Sequence, residues 1–285
     1  MKNKNNTSKS DLEKADHVEI ITIVDNYTNA LLASSEGKSR IITRATEKFG
    51  GEKALLAEHG LSLLIKVFKG DQMHMVLFDG SRSKAAIRYN LMVQNIDLSP
   101  LEAVILSHGH GDHYGGLFAV PGYAGRRGIP LIAHPDAFLH RYRKQSDGTM
   151  LKKKRLTEQS LTKAGYDIIK SKSSKLLASN LILSTGEIDR VTEFETMSAN
   201  RYIGRDGNIE ADIVLDDQSV IINLEDKGLI IISGCAHSGI INTIKYAIKI
   251  TQIEQIYGVI GGFHLAGPGV EAKTENTIKA LKTYN

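Results

Sequence analysis

The seven residues Ser107-His108-Gly109-His110-Gly111-Asp112-His113 constrain this chain more than any other stretch. Three histidines and an aspartate fall within six positions, directly after the apolar run Ala103-Val104-Ile105-Leu106. An apolar run of that length, closed by glycine-spaced polar residues, predicts a buried strand that ends at Ser107 and passes into a tight loop. Gly109 and Gly111 are expected to let the loop bend where a side chain would resist. His108 and His110 can then aim at one metal ion, with Asp112 and His113 turned toward a second. Imidazole and carboxylate at this density form the ligand set of zinc or another first-row metal.

The motif runs on into Tyr114-Gly115-Gly116-Leu117, and in this form it resembles the metal-binding signature of the metallo-β-lactamase superfamily. Matches in the same order extend the resemblance from Val18 to His264. The stretches Glu58-His59-Gly60-Leu61-Ser62, His134-Pro135 and Gly234-Cys235-Ala236-His237-Ser238-Gly239 narrow it to the branch named after the dihydropterin–ribofuranosylaminobenzene-phosphate synthases. The resemblance implies an α/β fold, the αβ/βα four-layer sandwich. Two mixed β-sheets face each other, helices lie outside, and a dinuclear metal site sits along one edge. The alternation of strand-like and helix-like segments agrees with this and fits all-α and pure β-sandwich classes poorly.

Further site residues follow from the resemblance. The chain has no histidine between His140 and His237, so His237, just past a buried strand, is expected to join His108 and His110 at the first metal. His264, after the paired glycines 261 and 262, would complete Asp112 and His113 at the second. Asp79 ends a strand where the superfamily commonly places an aspartate that accepts the free N–H of a metal-bound imidazole. Cys235 stands where relatives often carry a bridging aspartate. It is either a thiolate ligand or a small packed residue. His59 and His134 are expected near the substrate cleft, and the loop containing Asn26 beside it. Ser238 is a good N-cap for a helix over 240–250, whose free N–H groups would cradle a phosphate or carboxylate.

The chain has 285 residues and 41 % hydrophobic content, enough for one substantial core. Residues 1–16 read as a flexible tail and 17–285 as a single domain. Residues 30–57 read as an excursion of loop and short helix over the cleft, and the basic segment 139–175, with Lys152-Lys153-Lys154-Arg155, as an insertion or lid. A single cysteine and the absence of an apolar leader or spanning run suit the cytoplasm, with no membrane partner. A net charge of +4 fits a small anionic substrate and is too weak to imply nucleic acid. Homo-oligomerisation is left open. The expectation is a metal-dependent hydrolase or related transferase with two divalent metal ions, zinc first and iron or manganese as alternatives, acting on a phosphate-containing substrate. Two other readings use the same ligands: a nuclease or cyclic-nucleotide phosphodiesterase, and a non-hydrolytic iron redox or metal-sensing protein involving Cys235.

Overall fold

The computed structural model describes residues 10–28, 35–36, 41–42, 54–196, 201–267 and 269–284. Its strands arise where β-branched and aliphatic residues alternate between two buried faces. In Ser62–Lys69 and Gln72–Phe78, Leu63, Ile65, Val67, Val76 and Phe78 point one way, while Leu64, Met75 and Leu77 point the other. A strand buried on both faces needs a layer on each side, and the molecule supplies both.

The first sheet has six strands in the order 166–170, 129–133, 101–105, 72–78, 62–69 and 17–24. The second runs 175–177, 182–184, 219–224, 228–233 and 256–261, with Lys14–Ala15 added in parallel to Ser219–Leu224. Leu63, Phe78, Ile105 and Ile132 from the first sheet meet Ile182, Val220, Ile222 and Ile232 from the second in one core between the sheets. The outer face of the first sheet packs on helices Lys84–Val93 and Glu158–Ala164 and the short turns over 111–123. The outer face of the second packs on Ile240–Thr251 and Glu271–Leu281. Helix, sheet, sheet, helix is the four-layer order expected from the sequence.

Two expectations change, and a third falls mostly outside the described residues. The tail over 1–16 is docked from residue 10 onward. Ser10 donates to the Ile250 carbonyl, Glu13 to Asn180, and Ala15 is fully buried. Residues 1–9 and most of the 30–57 excursion, including its expected helix, lie outside the described residues; the paired strands 35–36 and 41–42 are described. The segment 139–175 is not one lid. Only its first part leaves the sandwich, as strands Arg141–Lys144 and Met150–Lys152. These join Arg201–Arg205 and Asn208–Ala211 in a separate four-stranded antiparallel sheet. The remainder belongs to the body of the fold. Tyr166–Lys170 pairs in parallel with Ile129–Ala133, and Leu156, Leu161 and Tyr166 are buried in the core. The basic run masks these three apolar anchors in the sequence. No helix among the described residues is long and apolar enough to cross a membrane.

Candidate metal centre

The strands Gln72–Phe78 and Leu101–Ile105 run parallel, as do Gly228–Ser233 and Ile256–Gly261. The loops after their C-terminal ends carry Asp79, His108–His113, Cys235–His237 and His264, so the two sheets deliver all these groups to one edge, the usual position for a ligand site in such sheets. Gln218 ties the halves together there. Its N–H donates to the Ser107 carbonyl (2.9 Å) and its side-chain amide to Leu106 (2.8 Å).

The expected role of the motif glycines changes. Neither Gly109 nor Gly111 adopts a positive φ. Gly109 is needed for space, since a Cβ there would strike the Ala137 carbonyl and the Arg141 guanidinium. Gly111 opens a one-turn helix over Gly111–Tyr114 that directs Asp112 outward and His113 inward.

His108, His110 and His237 come together, with ring centroids 4.5 Å apart for His108–His110, 4.7 Å for His108–His237 and 4.9 Å for His110–His237. Burial holds all three well below the ordinary imidazole range, and the mutual proximity of the cluster's charges adds to the effect. Burial thus favours the neutral form of all three rings, the form in which imidazole ligates a metal. His237 Nδ1 is buried without a hydrogen-bond partner among the described residues.

His113 behaves differently. Burial alone would push it down, but the Asp79 carboxylate against Nδ1 (2.6 Å) outweighs that and raises it well above its ordinary value. Asp79 is fully buried and also accepts from the Ser107 N–H and hydroxyl, both at 2.7 Å. It thus fixes the His113 ring and leaves Nε2 facing Cys235 Sγ (3.1 Å) and Asp112 Oδ2 (3.8 Å). Asp79, Ala236 and His264 all hold positive φ values of 49–62°. Backbone strain of this kind, about 1–3 kcal/mol per residue, collects at functional sites.

Ligand-capable atoms of His108, His110 and His237 lie within 4.8 Å of one another, as do those of His108, His113 and Cys235, and those of Cys235, His237 and His264. Cys235 is common to the last two sets. Asp112 stands just outside them, beside His113 and with His59 Nε2 3.3 Å from its Oδ2. The donor set, mostly neutral imidazole with one thiol and nearby carboxylate, fits a first-row divalent ion.

Other expected residues lie elsewhere or serve otherwise. His134 has both ring nitrogens engaged. Nδ1 accepts from the Asp136 N–H, capping a short helix, and Nε2 sits 3.0 Å from Glu187, so it is a buried cap rather than a cleft-lining residue. Asn26 is exposed, with its N–H on the Asp25 carboxylate. Ser238 does not cap the following helix. Gly239, with φ 96°, occupies that position, and the side chain that fills the helix N-terminus is Glu195, which accepts from the N–H groups of Ile241 (2.9 Å) and Asn242 (2.8 Å). The expected phosphate cradle is therefore occupied by the protein's own carboxylate.

Several contacts escaped the sequence reading. Arg141 is buried, with Nε on Asp212 (2.8 Å) and Nη2 on Asp216. Asp216 in turn accepts from the Gly109 N–H at 2.7 Å, so this pair grips the metal loop from behind. Glu58 accepts from Ser81 Oγ and from the Arg82 and Ser83 N–H groups, tying the His59 segment to the turn after Asp79. Arg201 lies with Nη1 3.5 Å from His110 Nε2. None of these has a local motif, because each contact joins residues far apart in the chain.

Comparison with known proteins places this geometry. Residues 76–239 match the family model described as the metallo-beta-lactamase superfamily. A 7,8-dihydropterin-6-methyl-4-(beta-D-ribofuranosyl)-aminobenzene-5'-phosphate synthase from Methanocaldococcus jannaschii is 34 % identical over 248 residues, spanning 85 % of this chain and 83 % of the relative. An uncharacterized protein of the same organism is 36 % identical over 215 residues, spanning 75 % of this chain and 76 % of that protein. Among solved structures, Tm1679, described as a metal-dependent hydrolase of the beta-lactamase superfamily, superposes with a TM-score of 0.66 at 21 % identity, covering 94 % of this chain and 85 % of its own.

Proposed function

Because the chain belongs to the metallo-β-lactamase superfamily, we propose that it is a metal-dependent enzyme acting on a small phosphate-bearing substrate. The observation that carries this reading is the convergence of three overlapping donor sets at one edge of two sheets. In this reading His108, His110 and His237 hold one divalent ion, and Asp112, His113 and His264 hold a second. Zinc is the first choice of metal. Such ions supply Lewis acidity to a carbonyl or phosphoryl oxygen and lower the pKa of water.

The chain's own residues do the rest. Asp79 and Ser107 orient His113 and His108, the latter through the Ser107 hydroxyl 2.9 Å from His108 Nδ1. Asp112, partly exposed and steadied by His59, is placed to take a proton from the attacking group. The name of the M. jannaschii relative describes a bond-forming reaction whose product carries a ribofuranosyl 5'-phosphate, and its identity over most of both chains favours a transfer of that class. Hydrolysis is the second reading, favoured by Asp112, since a partly exposed carboxylate beside the donors suits water as the nucleophile.

The test is metal content per chain, after purification without chelator, for the wild type and His237→Ala together. About two zinc atoms in the wild type and fewer in the variant is the expected result. The loaded wild type is then given a phosphate-bearing arylamine with a dihydropterin whose 6-methyl carbon carries a phosphate-type leaving group, released as the amine nitrogen takes that carbon and loses a proton, and separately simple phosphate esters, to separate transfer from hydrolysis. A wild type that takes up no divalent metal after reconstitution would overturn the assignment.

A further inference from the structure

Arg201 is, among the described residues, a guanidinium with a direct contact to a ring of the donor cluster. It opens the strand Arg201–Arg205 of the added four-stranded sheet, is half-buried, and brings Nη1 to 3.5 Å from His110 Nε2. Its backbone is fixed. The strand pairs with Arg141–Lys144 on one side and Asn208–Ala211 on the other, and the Asp212 N–H donates to the Arg201 carbonyl at 2.9 Å. Two other arginines of this sheet are matched with carboxylates, Arg141 with Asp212 and Asp216, and Arg205 with Asp136 and Glu210, whereas exposed Arg143, opposite Arg201 in the ladder, has no such partner among the described residues. Arg201 has no carboxylate partner among the described residues.

An unpaired guanidinium held beside three neutral imidazoles is tolerable. Beside the same imidazoles carrying a divalent ion it is opposed by like charge across a few ångströms of partly desolvated space. The repulsion disappears if an anion lies between guanidinium and metal, where it is attracted from both sides. Arginine suits this task because its planar fork matches the oxygens of phosphate or carboxylate.

We propose that Arg201 is a substrate-binding residue that clamps an oxyanion of the substrate, a phosphate group first, against the metal-bearing histidines. The added sheet is then a specificity element, present to carry this guanidinium to the site. The proposal rests on the metal reading above, and the test separates the two.

Inorganic phosphate is titrated calorimetrically into zinc-loaded wild type, Arg201→Gln and Arg201→Lys, with zinc content measured on each sample. The expected result is unchanged zinc in all three, with phosphate affinity reduced about ten- to a hundredfold in Arg201→Gln, the loss of a charge-assisted hydrogen bond, and partly restored in Arg201→Lys. A steeper salt dependence in the wild type than in Arg201→Gln is expected as well. Equal phosphate affinity in wild type and Arg201→Gln at full zinc content overturns the clamp and leaves the metal reading standing. So does phosphate that fails to bind the zinc-loaded wild type. A wild type that holds no zinc overturns the metal reading and the clamp with it.

Discussion

Single residues at this site show how burial sets protonation. Asp217 is fully buried, with Oδ2 on the Ser238 N–H (2.7 Å) and Oδ1 unpartnered, and burial pushes its pKa up from 3.8 to about 6. A carboxyl whose folded pKa exceeds its unfolded one favours folding below the unfolded value, and that contribution is lost as pH rises through the folded value. Above about pH 6 the ionised Asp217 therefore costs stability, up to about 3 kcal/mol. Asp217→Asn keeps an acceptor for Ser238 and removes the charge. It should raise unfolding stability by about 1–3 kcal/mol near pH 8 and by little near pH 4. Urea melts at the two pH values check this, and an equal gain at both would refute the assignment. Asp79 is as deeply buried, but its oxygens face the His113 ring and two Ser107 donors, so neither is left unpartnered as Asp217 Oδ1 is.

At the scale of elements, the added sheet and the metal loop behave as one unit through Arg141. Replacing it by methionine leaves Asp212 and Asp216 as unpaired buried carboxylates, and breaking a buried pair in this way costs about 3–5 kcal/mol. Arg141→Met should lower the denaturation midpoint accordingly and also weaken zinc binding, because Asp216 positions the Gly109 N–H between two of the donors. An unchanged midpoint would mean that the pair is dispensable. The elements themselves were largely legible in the sequence. The helix Lys84–Val93 starts at Ser83 as its N-cap, and Ile129–Ala133 is a short aliphatic strand. Both announce themselves locally, by periodicity, a capping serine or β-branched residues. The donors within 108–113 are equally local. What stayed hidden depends on distant pairing: Arg141 with Asp216, 75 residues apart; Asp216 with Gly109, 107 apart; Arg201 with His110, 91 apart. The basic tract before Glu158 misled for the converse reason, since its charges outnumber the few apolar residues that hold it in the core.

For the whole molecule, the donors come from loops of both sheets: His108–His113 from the first, Cys235, His237 and His264 from the second. An ion held by both sets would cross-link the halves of the sandwich in the native state and not in the unfolded chain. Ligand bound only by the native state stabilises it by about 4 kcal/mol at a thousandfold excess over Kd. Zinc-loaded protein should accordingly melt about 5–10 °C above chelator-treated protein. Coincident melting curves would show that the donors do not close on metal across the two sheets.

The seating of Glu195 on the helix Ile240–Thr251 has a consequence for how such a fold diversifies. The main-chain amides at that N-terminus are a ready receptor for negative charge, and the protein keeps them plugged with a residue from a neighbouring loop. A lineage that exchanged this glutamate for a neutral side chain would unplug two amides on the helix that follows His237 in one step, without moving a strand. Recognition of a second acidic group on a larger substrate is thus one codon away, a latent capacity held shut rather than absent.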